Sequence, residues 1–339
     1  MQQLLQLQVH HIERPVPETM VVFLEAPNGF NYEAGQHLTL LLDINGRELR
    51  RSYALCSLPE DPFIAIVIRK VTNGEVSRHL LITLKTGDCL TSLPPSGRFT
   101  LQPAEKQVFF AAGAGINPIL PLIRKSLRDS ATPIALYYSE SEPANCLFYD
   151  ELLALQAQNP AQFQIYWHFS QVINRSTHLN GRLNQYVIEK AFAAPASLQK
   201  IRFQFYLCGP MTYMRMIRLS LQFMGYTADQ IRRENFASEG IQVKAKALEP
   251  RPTFEVVVQM GKRSFRMQSQ ETVLAGAQAA GLSLAYSCNN GQCGTCALKL
   301  EHGEVIHRIN EVLTDTELEA GYFLSCSAVP NSRKLVVAI

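Results

Sequence analysis

The chain has 339 residues, of which 47% are hydrophobic and 18% charged, with a formal net charge of +3. These proportions are typical of a globular protein of two or three domains, and the small charge argues against a nucleic-acid-binding surface. The N-terminus lacks a basic segment followed by a long apolar run, and no apolar stretch reaches the ~18 residues needed to span a bilayer. We therefore expect neither a signal peptide nor membrane insertion.

The first segment, residues 1–102, alternates short apolar runs with turns rich in glycine, proline and asparagine. Strand-like runs cover residues 20–24, 37–42, 49–55, 63–71 and 89–93. Runs at this spacing predict an antiparallel β-sandwich or β-barrel. One helix interrupts them, and we expect it to begin at Ser77 and to end before Gly87.

The second segment, residues 103–236, alternates strand and helix patterns. Buried strands are predicted at 108–112, 134–138, 163–169 and 201–207. Helices are predicted from about Pro118 onward and at 147–157, 183–192 and 211–223. This alternation is typical of an α/β doubly wound parallel sheet with helices on its faces.

Residues 237–252 are mostly small, charged or proline, show little periodicity and are interpreted as a linker. The last segment, residues 253–339, begins with a predicted hairpin at 254–260 and 264–267, followed by a helix at 272–280. A cysteine-rich loop follows this helix. No internal repeat is visible.

Four cysteines of the last segment have the ligand spacing of a plant-type [2Fe–2S] cluster, C-x₄-C-x₂-C with a fourth cysteine after 29 further residues. They are Cys288, Cys293, Cys296 and Cys326. Gly291 and Gly294 have no Cβ to obstruct backbone N–H groups from approaching the sulfur atoms. The run therefore predicts an iron–sulfur centre, which we expect to be exposed around residues 289–295 at a docking surface.

Two other uses of these cysteines remain open at this point. A structural zinc site prefers paired C-x₂-C sequences, and only one such pair is present. Disulfides are conceivable, but the remaining cysteines are scattered without a framework. Free thiols together with an iron–sulfur site indicate a reducing compartment, hence the cytoplasm.

Two short patterns in the first segment suit a phosphate-bearing cofactor. Arg51 and Tyr53 lie two residues apart on one predicted strand, so both face the same side, where a guanidinium could bind phosphate beside an aromatic ring. Residues 74–77, Gly-Glu-Val-Ser, would open a helix whose free N–H groups bind pyrophosphate. The ordinary alternatives are a surface arginine beside a half-buried tyrosine, and a Ser77 that only caps the helix.

Two patterns in the second segment suit a nicotinamide nucleotide. Gly113-Ala114-Gly115 ends a strand and precedes a helix, with Pro118 expected at the first helical position. The third glycine of the dinucleotide fingerprint is absent, so a tight strand–helix turn is the alternative. Residues 207–211, Leu-Cys-Gly-Pro-Met, end a later strand, where a buried cysteine before a turn is the common case.

In this order, the four patterns and the cysteine run resemble the ferredoxin–NADP reductase superfamily with a C-terminal plant-type ferredoxin domain. The family motifs are R-x-Y-(S/T), G-x-V-S, G-x-G-(I/V)-(S/T)-P and C-G-P. The resemblance covers nearly the whole chain and implies a flavin-binding β-barrel, a nicotinamide-binding α/β domain and an α+β β-grasp domain. Ala54 and Asn117 depart from the family because each replaces a hydroxyl residue, and Ala54 puts the rate of hydride transfer in doubt.

The resemblance also implies the site residues. Tyr53, Ala54 and Cys208 would be catalytic. The residues that would bind flavin or nucleotide are Arg51, Ser52, Tyr53, Ala54, Gly74, Val76, Ser77, Gly113, Gly115, Ile116, Asn117, Ser139, Cys208, Gly209, Pro210 and Phe236. FAD is favoured over FMN because the G-x-V-S motif is retained, although the phthalate dioxygenase reductase type would use FMN. NADH is favoured over NADPH because residues 138–142 contain two carboxylates and no cation for a 2′-phosphate.

The implied activity is transfer of electrons from NADH through FAD and the [2Fe–2S] cluster to a partner protein. The chain is most similar in pattern to the reductase components of multicomponent oxygenases, including the phenylacetyl-CoA oxygenase system. The partner would be an oxygenase or hydroxylase, with a desaturase or a hybrid-cluster protein as alternatives. A redox sensor or carrier with an impaired hydride site, and a zinc-stabilised binding protein, are hypotheses of other classes.

Overall fold

The computed structural model describes residues 4–71, 74–171, 181–192, 202–235, 253–291, 293–310 and 312–338. Within these ranges there are three principal β-sheets and one two-stranded sheet, arranged along the chain as the sequence predicts. Phe236 and the predicted linker at 237–252 lie outside the described residues. No helix in the described part of the chain is long and apolar enough to cross a membrane.

The N-terminal unit is a six-stranded antiparallel barrel, with sheet order β4-β3-β6-β1-β2-β5. Its elements are β1 (Leu5–Glu13), β2 (Thr19–Leu24), β3 (His37–Ile44), β4 (Arg47–Ala54), β5 (Ile64–Arg69), α1 (Glu75–Thr83) and β6 (Cys89–Ser96). A bridge between Leu55 and Ile66 brings the two edge strands together. Alternating apolar side chains such as Leu38 and Leu40 fill the interior.

Helix α1 begins two residues earlier than predicted. Gly74 adopts an extended conformation as the N-cap, and the helix starts at Glu75. Ser77 therefore lies in the first turn rather than at the cap, and its hydroxyl oxygen accepts a hydrogen bond of 3.1 Å from the N–H of Val71. This bond fixes the segment that leads into the helix. The helix also ends at Thr83, before the predicted limit.

The second unit is a five-stranded, wholly parallel sheet with order β11-β10-β7-β8-β9. Its elements are β7 (Lys106–Ala112), α2 (Ile116–Asp129), β8 (Ile134–Glu140), α3 (Tyr149–Gln158), β9 (Phe163–Phe169), α4 (Gln185–Phe192), β10 (Phe203–Cys208), α5 (Met211–Phe223) and β11 (Ile231–Glu234). The strand order reverses between β7 and β10, and ligands of such sheets bind at the carboxyl ends of the strands at this point.

Helix α2 also begins earlier than predicted, at Ile116, after a 3₁₀ turn over Gly113–Gly115. Pro118 is the third helical residue, still in the first turn, where its missing N–H has no partner in the helix. The apolar core on this side of the sheet is continuous with the barrel, since Phe99 packs in the same cluster as Phe109 and Ile119. The first two units therefore share an apolar interface.

The third unit is a mixed sheet with order β13-β12-β18-β14-β16 and one main helix, as expected for a β-grasp domain. Its elements are β12 (Glu255–Met260), β13 (Arg263–Gln268), α6 (Val273–Ala279), β14 (Ala297–His302), β15 (Val305–His307), α7 (Asp315–Glu319), β16 (Tyr322–Leu324), β17 (Ala328–Pro330) and β18 (Lys334–Ala338). β12 and β18 run parallel beside each other. The cysteine loop lies between α6 and β14.

Candidate functional site: a cavity between two domains and a cysteine centre

A cavity of about 910 Å³ lies between the barrel and the carboxyl edge of the parallel sheet. Its walls bring together thirteen of the predicted flavin- and nucleotide-binding residues. These are Arg51, Ser52, Tyr53, Ala54, Val76, Ser77, Gly113, Gly115, Asn117, Ser139, Cys208, Gly209 and Pro210. Gly74 and Ile116 do not line it, and Phe236 lies outside the described residues.

Strand β4 forms one wall of the cavity. Arg51 and Tyr53 alternate along it with Arg50 and Ser52, as the two-residue repeat of a strand requires. The Arg51 guanidinium donates a hydrogen bond of 2.7 Å to the Arg50 carbonyl, which orients it along the strand. Ala54 closes the strand as a nearly buried residue on the cavity wall. A methyl group at this position offers a ligand no hydrogen bond.

The turn after β7 and the end of β10 meet at the opposite wall. A Cβ atom on Gly115 would lie 2.0 Å from the carbonyl oxygen of Cys208, so only glycine fits this approach. Burial raises the pKa of the Cys208 thiol well above its ordinary value, and the nearby Glu234 adds to the effect. Cys208 is therefore a neutral thiol at neutral pH and supplies shape to the cavity rather than a thiolate nucleophile.

Three buried polar atoms on the cavity wall have no hydrogen-bond partner within the described residues, and one of them is Oγ of Ser139. The other two are Oδ1 of Asn117 and Nε2 of His168. Burial lowers the pKa of His168 to about 4, against a smaller opposing effect of a hydrogen bond with the Gly181 backbone. The ring is neutral at neutral pH. Buried polar groups are seldom left unpaired, so the wall fits a ligand that carries its own donors and acceptors.

Nothing in the sequence indicates that a cation, Arg69, pairs with Glu140 on the cavity wall. Arg69, at the end of β5 in the barrel, donates a hydrogen bond of 3.0 Å to Glu140 at the end of β8. Glu142 is exposed and accepts from the Asn145 side chain. Arg69 precedes the Gly-Glu-Val-Ser pattern by only a few residues. Arg69 reaches the cavity only because the two domains pack together, and no local sequence pattern predicts that packing.

The four cysteines of the C-terminal unit converge, although they come from two separate segments. Sγ atoms of Cys296 and Cys326 lie 3.1 Å apart, and the Cys293 Sγ lies 3.3 Å from Oγ1 of Thr295. The N–H groups of Asn290 and Gly291 donate to the sulfur atoms of Cys288 and Cys326 at 3.4 and 3.3 Å. Backbone N–H donors thus approach two of the four sulfur atoms, which fits an anionic iron–sulfur cluster.

Gly291 has a structural reason to be glycine in this loop. Its φ is +64°, and a Cβ atom would lie 2.5 Å from the Ile309 carbonyl oxygen. A larger residue would push the loop away from Ile309 and move the N–H that now points at Cys326. The cysteine spacing and Gly291 are therefore both needed to place the sulfur atoms and the N–H group in this loop.

The expectation that residues 289–295 form an exposed surface is wrong for most of the loop. Asn289 is exposed, but Gly291, Cys293 and Thr295 are buried. The loop packs against the barrel. Nε2 of His37 on β3 lies 2.9 Å from Oγ1 of Thr295, which explains the burial of that side of the loop.

Two further contacts join the loop to strand β4. The Ser52 hydroxyl donates a hydrogen bond of 2.8 Å to the Ser287 hydroxyl. The Arg50 guanidinium lies over the Tyr286 ring, 4.3 Å from its centroid. β4 therefore carries the R-x-Y pattern of the cavity and also contacts the residue that precedes Cys288.

A buried pair connects the barrel to the parallel sheet beside this loop. Nδ1 of His37 lies 3.7 Å from Oε1 of Glu234, the last residue of β11. Burial lowers the pKa of His37 to about 4. Burial, and next the Cys293 thiol, raise the pKa of Glu234 well above its ordinary value. The His37 ring is consequently neutral at neutral pH, so this contact is not an ion pair.

Three family models match the chain in sequence. An oxidoreductase FAD-binding domain matches residues 7–101, an oxidoreductase NAD-binding domain matches 109–219, and a 2Fe-2S iron-sulfur cluster binding domain matches 257–331. Each match falls on one of the three structural units. The order of the matches is the order predicted from the motifs.

Curated relatives match over nearly their whole length. The chain is 30% identical over 345 residues to a subunit of the 1,2-phenylacetyl-CoA epoxidase of Escherichia coli (strain K12), covering 98% of this chain and 96% of that protein. It is 30% identical over 343 residues to the glycine betaine monooxygenase reductase subunit of Pseudomonas aeruginosa (strain UCBPP-PA14), covering 92% and 88%.

A solved structure shares the fold of the whole chain. Phthalate dioxygenase reductase, described as a modular structure for electron transfer from pyridine nucleotides to [2Fe–2S], matches with a TM-score of 0.61 at 23% identity. The match covers 99% of this chain and 98% of that one. The likeness shows that the arrangement of three units is that of this fold.

Proposed function

Because this chain belongs to the family of reductase components of multicomponent oxygenases, with FAD-binding, NAD-binding and 2Fe-2S domains, we propose that it carries electrons from NADH to an oxygenase. When bound, flavin would supply hydride chemistry and single-electron release, and a [2Fe–2S] cluster held by the four cysteines would supply one-electron chemistry. The protein's part is to place these groups and to keep water away from the reacting atoms.

The wall residues of the cavity divide between flavin and nucleotide. On the flavin side, Arg51 binds phosphate, Tyr53 packs beside the isoalloxazine, and the first turn of α1 supplies N–H groups from Val76 and Ser77. Gly74 shapes the entry to that turn as its N-cap. Ser52 and Ala54 complete the strand, and Ala54 would offer a bound flavin a methyl group where the family usually has a hydroxyl group.

On the nucleotide side, the turn at Gly113–Gly115 and the first residues of α2 bind the pyrophosphate. Asn117 supplies its unpaired side-chain oxygen to the ligand, and the buried Ile116 is the first residue of the helix. Cys208, Gly209 and Pro210 shape the surface under the nicotinamide ring. We assign Ser139 to the ribose side and keep Phe236, which lies outside the described residues, as a proposed cofactor-binding residue.

The observation that carries the proposal is the dual contact of β4. Arg51 and Tyr53 on this strand line the cavity, while Ser52 donates to Ser287, the neighbour of Cys288. The flavin site and the cysteine centre are thus separated by little more than one strand. We propose Cys288, Cys293, Cys296 and Cys326 as the cluster ligands, since their sulfur atoms converge there.

We also propose the type of each cofactor, the location of the protein and the domain limits. FAD is proposed over FMN because the cavity is continuous from α1 to the nucleotide turn. NADH is proposed over NADPH because the Glu140 carboxylate lies on the wall, although Arg69 partly neutralises it. Cytoplasmic location is proposed from the free thiols and the cluster site. We place the domain limits at 1–102, 103–236 and 253–339, with a linker between.

The test is an anaerobic titration with NADH and then NADPH, following flavin and cluster absorbance together. NADH should bleach the flavin bands first and the cluster bands second. Cys296→Ser should abolish the cluster bands and leave flavin reduction intact, whereas Cys89→Ser, at an exposed cysteine distant from the loop in sequence, should do neither. Reduction of both centres by dithionite but by neither nucleotide would contradict the proposal and favour a carrier or sensor.

A further inference from the structure

One carboxylate touches all three structural units. Oε1 of Glu317, on α7 of the C-terminal unit, accepts a hydrogen bond of 2.6 Å from Nε of Arg98 in the barrel. The same oxygen accepts a hydrogen bond of 3.0 Å from Nη1 of Arg232 on β11 of the parallel sheet. We call Glu317, Arg98 and Arg232 the Glu317 junction.

The junction is held in place by its own surroundings. The Glu317 side chain is only 7% exposed, and Arg98 also lies over the Tyr322 ring, 3.8 Å from its centroid. Burial opposes ionisation of Glu317, but the Thr314 N–H and the two guanidinium groups outweigh it and lower the pKa. The carboxylate is therefore charged at neutral pH and satisfied by fixed donors. A charge-assisted contact of this kind is stronger and more directional than a neutral one.

Glu317 also has an ordinary structural use, and the two uses can be separated. It is the third residue of α7 and forms a capping box, in which Oε2 accepts a hydrogen bond of 2.8 Å from the Thr314 N–H. Glutamine serves equally well at this position of a capping box. The cap occupies Oε2, whereas both arginines bind Oε1. Replacement by glutamine therefore removes the charge and retains the cap.

A second contact also joins α7 to the parallel-sheet unit. The N–H of Thr316 donates a hydrogen bond of 3.4 Å to the Asp229 side chain, just before β11. The short helix α7 thus touches the parallel sheet at two points and the barrel at one. At a separate place in the C-terminal unit, the cysteine loop reaches β3 and β4 through Thr295 and Ser287.

We propose that Glu317 is a positioning residue that fixes the C-terminal unit against the other two, so that electrons pass within the molecule from the flavin site to the cysteine centre. The inference rests on the proposed function. Electron transfer depends steeply on separation and orientation, and Ser287 keeps its contact with β4 only while the unit is held. The junction adds a second point of attachment to the one at the loop, which prevents the unit from rocking on that loop.

The experiment compares Glu317→Gln with Glu319→Gln, an exposed glutamate on the same helix. After mixing with NADH in the absence of oxygen, flavin reduction and cluster reduction are followed separately. Glu317→Gln should slow cluster reduction by about tenfold, because small displacements of reacting groups cost this much or more, while flavin reduction changes less than about twofold. The low-temperature EPR signal of the reduced cluster should be unchanged. Glu319→Gln should match the wild type.

Hydrogen–deuterium exchange of the complete protein supplies a readout that does not depend on turnover. Glu317→Gln should accelerate exchange in 312–324 and also in the cysteine loop at 286–291, which lies far from the substitution along the chain. A purely local role would move the first region alone. Exchange confined to 312–324 together with unchanged cluster reduction would overturn the proposal.

Variants of Arg232 test the junction independently, in case Glu317→Gln does not fold. Arg232→Gln should reproduce the slow cluster reduction, and Arg232→Lys, which keeps the charge, should restore most of it. Equal behaviour of Arg232→Gln and Arg232→Lys would count against the junction. If NADH fails to reduce the flavin even in the wild type, the proposed function fails, but the exchange pattern still decides whether Glu317 positions the unit.

Discussion

Ser52 donates a hydrogen bond of 2.8 Å to Ser287, so the strand that carries the R-x-Y pattern is tied directly to the residue before Cys288. Ser52 also lies 3.1 Å from the Thr39 hydroxyl, which limits the rotamers of its side chain. The two hydroxyl groups connect the flavin wall to the cysteine loop without a charged residue. We therefore expect a change in this contact to affect electron transfer between the flavin site and the cysteine centre.

Ser287→Ala should slow cluster reduction by about two- to fivefold, since the loss of one hydrogen bond is worth about 1 kcal/mol. Flavin content and the rate of flavin reduction should stay the same. Stopped-flow absorbance with NADH under anaerobic conditions separates the two steps. The control is Ser283→Ala, an exposed serine of the same loop region. If both variants behave alike, the contact with Ser52 has no part in the transfer.

The nucleotide preference should depend on Glu140 rather than on Glu142. Glu140 lies on the cavity wall and pairs with Arg69 at 3.0 Å, whereas Glu142 is exposed. Glu140→Gln removes a charge that repels a 2′-phosphate and frees a guanidinium to bind it. The ratio of kcat/KM for NADPH to that for NADH should rise about tenfold, the effect of ~1.4 kcal/mol.

Glu142→Gln is the matched control for this prediction, because it makes the same chemical change two residues away outside the cavity. Steady-state assays with an artificial electron acceptor measure both ratios. A ratio that stays constant in Glu140→Gln, or rises equally in Glu142→Gln, would place the 2′-position elsewhere on the wall.

Ala54→Ser should accelerate reduction of the flavin by NADH. The substitution adds the hydroxyl group that the family usually has at this position, and a well-placed hydrogen bond to a reacting group contributes at least several-fold to the rate. We expect an increase of about three- to tenfold in the rate of flavin bleaching under single-turnover conditions. Ala114→Ser, which adds the same group elsewhere on the wall, should not accelerate it. A slower or unchanged Ala54→Ser would remove the proposed role.

The three units and most of the cavity wall could be predicted from the motifs, because each motif reflects a local backbone geometry. A glycine turn before a helix, or a cysteine spacing, constrains the backbone wherever it occurs. The helix starts were less accurate. The first turn of α1 begins at Glu75 because Gly74 caps it, and Ser77 bonds back to Val71 instead of capping.

The contacts between units could not be predicted in the same way. His37, Arg69 and Glu317 each bind a residue from another unit, more than seventy positions away in the chain. Such partners are set by how folded surfaces fit together, and a single sequence carries no periodic signal for them. The three-residue strands β16 and β17 were missed for a different reason, since three residues are too few to show a two-residue alternation. The longer strands β1, β14 and β18 were not predicted either.

The stability of the parallel-sheet unit should fall as the pH is lowered from about 6.5 toward 4, because of His168. Burial lowers the pKa of His168 from 6.5 to about 4 in the folded protein. Between these values the unfolded chain binds the proton and the folded chain does not, so unfolding is favoured as the pH falls. The full effect corresponds to about 3 kcal/mol, at ~1.36 kcal/mol for each pKa unit.

His168→Gln should flatten this pH dependence, because glutamine does not titrate, while the exposed His302→Gln should leave it as in the wild type. The protein has one tryptophan, Trp167, next to His168 on β9, so urea unfolding followed by tryptophan fluorescence reports on this unit. Measurements without nucleotide at a series of pH values between about 4 and 7.5 cover the interval in which the proton is taken up. Parallel curves for His168→Gln and the wild type would mean that Nε2 is already protonated or solvated in the folded state, and that it does not await a ligand.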